Sequence, residues 1–525
     1  MEDKIRLRMG DWLYNAGLVG LINILQHAEA GDSLVIHDQS LEIDSTLLEG
    51  FEDKYFDYFV DKYEKVMTFT NVKKRIQLIL NLDIDEKTLN KDYKEDIKYI
   101  KDKLKNSAYK NILNIVPKNE LKKPTQGFFQ NLLILLDNEK KEILKKECIG
   151  YYDQKAKTSK SPNAIIDKYI NTNMLNIQKS CDEILNYINE DTSKYKFDCF
   201  SCGNPIKSID KGLSFMTNIF FDTSRKTSHV WNFVSDIEMC PICSLVYFCV
   251  PAGFTTVYGK GIYVNQNLSL NSAVAFNNRI KSEILKDHEV NRSLTYRGLI
   301  NAINEQSNMG IKYELADMQV VKYNDNQYRF NILSNKMLNI ISNSKDDLNN
   351  IINCGFKEVN AYFNIYELVI DRIFNNQNLF TLIHKLLIYK LTIPKDCRFS
   401  MRQLIRILNI NLRIMEGMGD MEKSDKDMIK QANASGYYLR QEYRGKGAKD
   451  KLNGISYRFL NALKTGNKNM FMDTLLNCYL YVQKTVPNIF LDALKDDEQY
   501  KTIGYAFVTG LVEGKENNKQ DGGNK

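Results

Sequence analysis

"DCFSCGNPI" (198–206) places two cysteines, Cys199 and Cys202, two residues apart near the middle of a 525-residue chain. A CxxC turn aims both sulfurs at one point, and the glycine after the pair suits a tight turn. One pair leaves a tetrahedral site half built, so the reading depends on a second. "MCPICSL" (239–245) supplies it as Cys240 and Cys243, with Pro241 inside the turn. The four thiolates read as a four-cysteine site for zinc. Its role is structural, because four thiolates leave no coordination position for a substrate. Residues 203–239 form a longer spacer than a compact zinc ribbon has, so the segment 197–250 is expected to carry structure of its own. His229 within it is a ligand the site does not need. A redox dithiol would need a thioredoxin-like βαβ pattern, which is not visible around these pairs, and unmetallated buried thiols are the other alternative. Cysteines 148, 181, 249, 354, 397 and 478 are scattered and read as small buried hydrophobes.

Working outward, the chain is long enough for two or three domains with a substantial core. Its 72 Lys and Arg against 65 Asp and Glu give a formal charge of +7, too mild to name a partner. No apolar run reaches the length of a membrane span. "WLYNAGLVGLINILQHAEA" (12–30) imitates a signal peptide, but Glu2 and Asp3 stand where a leader is positive, and Asn15 and Asn23 interrupt the apolar stretch. Trp12, Leu13, Ala16, Val19 and Ile22 recur at helical spacing, so the segment reads as a buried helix. A cytoplasmic, reducing compartment follows, and the ten cysteines are not a disulfide framework.

Short strands are expected at "SLVIHD" and "SLEID" within 33–44, then charged amphipathic helices over 45–116. "PKNELKKPTQGFF" (117–129) and "DQKAKTSKSPN" (153–163) read as loops. "TTVYGKGIYV" (255–264) reads as strand and turn, and "MQVVKYNDNQYRFNIL" (318–333) as a hairpin with Asp325–Asn326 at its tip. From about 340 the pattern is almost wholly helical, with the best boundary at Pro394. The expected fold class is an α+β N-terminal region (1–196 and 251–396) with an inserted four-cysteine zinc-binding segment (197–250). An all-α helical bundle (397–513) and a disordered tail (514–525) follow.

A search for catalytic chemistry finds no footing. "GLVEGKE" (510–516) is one residue short of a phosphate loop and has Glu516 where Ser or Thr must hold Mg²⁺. His37–Asp38 is the one "HD" pair, at an expected strand end and without further metal ligands in view. Neither a GxSxG elbow nor a kinase signature occurs. The chain is therefore expected not to be an enzyme.

Charge is more informative locally. From Arg398 to Lys468 there are 15 basic and 7 acidic residues, a balance of +8, so the rest of the chain sums to about −1. In "MRQLIRILNINLRIMEG" (401–417), Arg402, Arg406 and Arg413 fall within about 40° on a helical wheel, opposite Leu404, Leu408, Leu412 and Met415. That is an arginine stripe on the back of a core-facing helix, and arginine grips phosphate bidentately. "YYLRQEYRGKGAKDKLNGISYR" (437–458) interleaves tyrosines with Arg440, Arg444, Lys446, Lys449 and Arg458, a mixture suited to single-stranded nucleic acid. A solvated helix face with core tyrosines would give the same pattern.

The paired CxxC turns, "WLYNAGLVGL" (12–21), "ISYRFLNALKTGNKN" (455–469), "VPNIFLDAL" (486–494) and "YAFVTGLVEG" (505–514) together resemble the CXXC–CXXC family of large subunits of the type I-B CRISPR effector complex, Cascade. The resemblance runs nearly end to end and keeps order. It implies a non-catalytic subunit of a crRNA-containing complex that recognises the protospacer-adjacent motif, helps open the duplex and steadies the displaced strand. Implied partners are crRNA, target DNA, the backbone, crRNA-processing and small subunits, and a recruited helicase-nuclease. The C-terminal bundle is the counterpart of the small subunit. Sequence is read by base pairing in such complexes, so the protein needs short-motif readout and backbone charge. Candidate motif readers are Lys122, Lys123, Thr125 and Gln126 in one loop and Lys155, Lys157 and Lys160 in the other. A stand-alone zinc-binding nucleic-acid-binding protein and a metal-dependent nuclease using His37 and Asp38 are the rival readings.

Overall fold

Asp11 starts the helix on which the N-terminal half is built. Its carboxylate accepts from the Leu13 and Tyr14 amides at 2.8 and 3.1 Å, capping donors that the first turn leaves open. The helix α1 (Trp12–His27) is buried on all sides from Leu13 to Leu25, which explains why its sequence resembled a membrane-directed segment. Before and after it lie β1 (Lys4–Arg8), β2 (Leu34–Ile36) and β3 (Ser40–Asp44), an antiparallel sheet in the order β1-β3-β2. The computed structural model describes residues 4–81, 93–149, 152–153, 158–159, 177–209, 238–257, 260–266, 269–286, 297–303, 318–324, 327–419 and 427–512.

Contacts divide the chain into two units, Met1–Gly298 with Met318–Phe330, and Leu299–Asp317 with Asn331–Lys525. In the first, α2 (Phe51–Tyr63), α3 (Thr68–Leu80) and α4 (Lys94–Leu104) lie in the stretch expected to be helical, and α5 (Gln126–Asn138) and α6 (Lys140–Ile149) follow beyond it. The proposed loop at 117–129 is mostly helical instead. Residues Lys118–Lys122 make a short helix, and the Thr125 hydroxyl caps α5 by accepting from the Phe128 amide at 3.1 Å. Proline at 124 separates the two helices, and reading it as a loop signal missed the cap one residue later. The two-residue strands β4 (Tyr152–Asp153) and β5 (Thr158–Ser159) pair beyond α6, and α7 (Ile177–Asn189) leads to the first cysteine pair.

The two-residue strands β6 (Phe197–Asp198) and β7 (Pro205–Ile206) flank that pair. The second pair opens α8 (Pro241–Phe248), which runs directly into the short α9 (Val250–Gly253). These two helices meet α1 backbone to backbone. A Cβ on Gly20 would lie 1.8 Å from the Cys249 carbonyl oxygen, and one on Gly253 1.9 Å from that of Ala16. No larger side chain fits either place without moving a helix. From the other side α2 sends Tyr55, Tyr58 and Tyr63, whose hydroxyls donate to the carbonyls of Phe248, Ala252 and Phe254 at 3.0, 3.3 and 3.3 Å. Carbonyls left over where short helices end are thereby satisfied inside the core.

Strands β8 (Thr255–Val257) and β9 (Lys260–Asn265) and the hairpin strands β10 (Met318–Asn324) and β11 (Gln327–Leu333) follow as expected, in a sheet ordered β11-β10-β9-β8. Helix α10 (Leu270–Lys286), for which the sequence reading made no assignment, lies between β9 and β10 in the chain. Asp325 and Asn326 lie outside the described residues. The chain enters the second unit along β11.

The second unit is mostly helical: α11 (Asn335–Asn343), α12 (Lys345–Asn350), α13 (Ile365–Phe374), α14 (Phe380–Thr392), α15 (Met401–Met418), α16 (Met428–Gly445), α17 (Lys451–Thr465), α18 (Lys468–Val482) and α19 (Asp497–Leu511). Helices α16 and α19 touch through glycines, a Cβ on Gly436 falling 2.0 Å from the Phe507 carbonyl oxygen. The helical pattern from 340 onward has one exception. Strands β12 (Gly355–Glu358), β13 (Ala361–Asn364) and β14 (Cys397–Arg398) form an antiparallel sheet in the order β13-β12-β14. The hairpin was hidden because its two-residue turn is Val359–Asn360, with Val359 at φ +54°, rather than a glycine-containing pair. The α+β fold class with a central cysteine cluster and a mostly helical C-terminal region describes the molecule. Residues 331–396 group by contact with the helices that follow them, because α11 and α12 pack on α15.

Candidate metal centre

Two local structures bring the cysteines together. In the first, Cys199 and Cys202 sit on a turn closed by the Gly203 amide donating to the Cys199 carbonyl at 2.9 Å and the Cys199 amide donating to the Asn204 carbonyl at 2.8 Å. Gly203 has φ +72°, the left-handed region where glycine carries no Cβ penalty. In the second, Cys240 is the N-cap of α8, with Pro241 at the first helical position, and the Cys243 amide donates to the Cys240 sulfur at 3.4 Å. The Phe200 amide donates to the Glu238 carbonyl at 2.9 Å, tying one turn to the other.

The result is four sulfurs within 4.8 Å of one another. Cys202 and Cys240 sulfurs are 3.6 Å apart, far beyond a disulfide bond. Metal–sulfur bonds of about 2.3 Å in a tetrahedron place sulfurs about 3.8 Å apart, so the spacing and the all-thiol donor set fit a closed four-coordinate ion. The electrostatics point the same way. Hydrogen bonds from Cys202, Cys240 and Cys243 hold the Cys199 thiol far below its ordinary value, and hydrogen bonding to Cys199 and Cys202 pushes Cys240 and Cys243 far above theirs. Sulfurs this close do not all ionise without a cation among them. Tyr14 of α1 lies with its hydroxyl 3.8 Å from the Cys243 sulfur, and burial, then Cys243, raises its pKa. Tyr187 of α7 donates to the Pro205 carbonyl at 2.7 Å, which braces the first turn. Cys199, Cys240 and Cys243 are buried, whereas Cys202 is exposed.

Residues 191–255 match the family model described as CRISPR-associated protein (Cas_CXXC_CXXC). The match spans both cysteine pairs, the turn that joins them to the core, and α8 with α9. It supports a CRISPR-associated protein of this family. No curated protein and no solved structure matches the chain.

Among the described residues the metal-ligating side chains brought together are these four cysteines. His37 and Asp38 are exposed beside β2 and belong to no such group. His229, Lys155, Lys157 and Lys160 lie outside the described residues. Lys122 and Lys123 are exposed, while Thr125 is engaged in its cap and Gln126 begins α5.

The basic residues of the second unit divide. Arg402 is exposed, but Arg406 and Arg413 reach Asp347 of α12 at 3.0 and 2.5 Å. The Asp347 side chain is only 4% exposed, so those two arginines neutralise a buried carboxylate. Arg440, read as a surface cation, is buried with its guanidinium 5.2 Å from the centre of the Tyr437 ring. Helix α16 turns Tyr437 and Tyr438 outward and this arginine inward, an inversion that helical spacing alone cannot assign, since both residue types are amphipathic. Arg444 is half-buried, and Lys446, Lys449 and Arg458 are exposed. The sequence reading missed Tyr481 of α18. Its ring centre lies 5.5 Å from the Lys446 ammonium and 4.7 Å from that of Lys451, and Tyr481 is itself exposed. Nothing at sequence level links it to the basic stretch, because the contact joins separate helices.

No helix among the described residues is long and apolar enough to cross a membrane.

Proposed function

We propose that the chain is the non-catalytic large subunit of a crRNA-guided type I-B surveillance complex, holding one structural zinc in its four-cysteine centre. The observation that carries this reading is the coincidence of the family match at 191–255 with a complete four-thiol cluster built into the core. Zinc suits four thiolates at this spacing, and a closed coordination shell suits a structural role. In this reading the subunit recognises the protospacer-adjacent motif, stabilises the R-loop and supports recruitment of the helicase-nuclease. Its partners are crRNA, target DNA, and the backbone, crRNA-processing and small subunits, in the cytoplasm. Exposed Lys446, Lys449, Arg458, Lys451 and Tyr481 favour an anionic, base-bearing ligand. Lys122 and Lys123 remain the accessible motif-reading candidates of their segment.

The test is reconstitution. Co-expressed with crRNA and the other subunits, the chain should co-purify with them, and the complex should bind a target with a correct flanking motif more tightly than one with an altered flank. Omitting the chain should abolish that preference. Strong binding by the isolated chain with no association to the crRNA complex would favour the stand-alone binding protein. Divalent-metal cleavage lost in His37→Ala or Asp38→Ala variants would favour the nuclease.

A further inference from the structure

The small sheet β13-β12-β14 has two unlike faces. Antiparallel register places Phe356 opposite Phe363 and Cys397 on one side, and Lys357 opposite Tyr362, with Gly355 opposite Arg398 and Asn364, on the other. The first face is covered by α14. Tyr389 packs 5.1 Å from Phe356, and Lys385 lies 5.3 and 5.7 Å from the Phe356 and Phe363 ring centres while pairing with Glu358 at 2.8 Å. The second face leaves Lys357, Tyr362 and Arg398 exposed.

Gly355 explains how the exposed tyrosine is held. A Cβ there would lie 2.2 Å from the Tyr362 hydroxyl oxygen and 2.3 Å from the ring carbon bearing it. The phenol therefore lies down across the glycine instead of standing off the sheet. The Arg398 guanidinium carbon is 5.5 Å from the ring centre, and Lys357 is the direct cross-strand neighbour. The residue remains 38% exposed. At the hairpin tip Val359 is 88% exposed in a left-handed conformation that disfavours a β-branched residue, so neither burial nor turn preference accounts for it.

We propose that this face is a stacking platform for single-stranded nucleic acid, with a base on Tyr362 and the flanking phosphates on Lys357 and Arg398. The inference deepens the proposed nucleic-acid reading and rests on it. An aromatic ring laid on a sheet beside cations recognises any unpaired base, because every base offers a π-face. Both charged members of the face are positive, which complements a phosphate backbone. An acidic peptide would use the charges but not the ring.

The experiment measures binding of labelled oligothymidine and oligouridine to the full chain by fluorescence anisotropy, with a duplex of equal length as a third arm. Tyr362→Ala should weaken binding of single strands at least about fivefold, whereas Tyr362→Phe should retain it. Lys357→Ala and Arg398→Ala should each reduce the salt slope by about 0.7. Duplex binding should be indifferent to Tyr362, because paired bases hide their faces. The DNA and RNA arms identify which strand the platform prefers. Wild-type chain that binds single strands with equal affinity in Tyr362→Ala overturns the platform alone. So does competition by polyglutamate as effective as that by oligothymidine. Wild-type chain that binds neither oligonucleotide overturns the platform, whereas the nucleic-acid reading is overturned separately, by a reconstituted complex that binds its target equally well without this chain. Unchanged thermal melting of Tyr362→Ala is the folding control, supported by its exposure.

Discussion

Lys281 in the first unit and Asp347 in the second are both buried charged side chains, and the two units treat them differently. Asp347 meets two arginines, so its charge is answered by opposite charge. Lys281 meets the Tyr58 hydroxyl at 2.6 Å and the Ala252 carbonyl at 2.7 Å, with Lys62 as a repelling neighbour. The same Ala252 carbonyl also accepts from Asn23 at 3.2 Å and from Tyr58 at 3.3 Å. The first unit thus concentrates donors on the end of α9, the element that follows the cysteine centre, whereas the second closes its polar core with its own ion pairs. Stability of the first unit should depend on the metal, and that of the second should not.

The largest expected effect is loss of the metal. Structural zinc contributes on the order of 10 kcal/mol or more to small metal-held folds, comparable with the whole stability of a domain. The protein should carry about one zinc per chain. Cys240→Ser should lower metal content and reduce hydrogen-exchange protection in α1, α8 and α9, because Cys240 caps α8 and the Gly20 and Gly253 contacts leave no slack. Protection in α15 and α19 should be unaffected. Full zinc content in a Cys199→Ser, Cys240→Ser double variant would rule the site out. Equal loss of protection in both sets of helices would sink the contrast between units.

The next effect concerns Lys281. Burial, and then the charge of Lys62, lowers its pKa from 10.5 to about 7. Between those values the unfolded chain binds a proton that the folded chain does not, so this group's contribution makes stability rise with pH from about 7 to about 10.5. Below that window both states are protonated and the folded state bears the full desolvation cost. Lys281→Met removes the charge at similar length. Its thermal stability should exceed wild type by a few kcal/mol below neutral pH, with the gap closing as pH rises. A gap that stays constant across this range would show that Lys281 is not titrating in the fold.

The cysteine centre was legible because its chemistry is local: two short spacings and the residues that turn them specify four ligands without knowledge of the fold. The α+β start and helical end were legible from periodicity. What escaped depends on contacts distant in sequence. The Asp347–Arg413 pair spans 66 residues, and nothing near Arg413 announces that its charge is needed internally. The platform at Tyr362 escaped because its turn lacks a turn signature and because Gly355 acquires meaning only when Tyr362 is seen lying on it. Thr125 is the converse case, a residue with a clear capping signal that a neighbouring proline obscured.

The smallest of these effects separates structural arginines from exposed ones on a single helix. Arg413→Ala removes the bond to Asp347 and a 3.5 Å contact to the Ser344 hydroxyl, leaving a carboxylate that is 4% exposed with Arg406 as its remaining arginine. Breaking a fully buried pair costs roughly 3–5 kcal/mol; Arg413 is 34% exposed and Arg406 persists, so about 2 kcal/mol is expected. Asp347→Asn in the same chain should recover part of that loss, since a neutral amide tolerates burial better than an unanswered charge. Arg402→Ala should leave thermal stability unchanged and instead lower the salt slope of DNA binding by the assembled complex by about 0.9, the share of one phosphate contact. If Arg413→Ala melts like Arg402→Ala, the buried pair contributes nothing and the stripe regains all three arginines as ligand contacts. If Arg402→Ala alters melting but not the slope, the stripe is structural throughout, and the exposed Lys446, Lys451 and Tyr481 cluster becomes the surface to examine for phosphate binding in this unit.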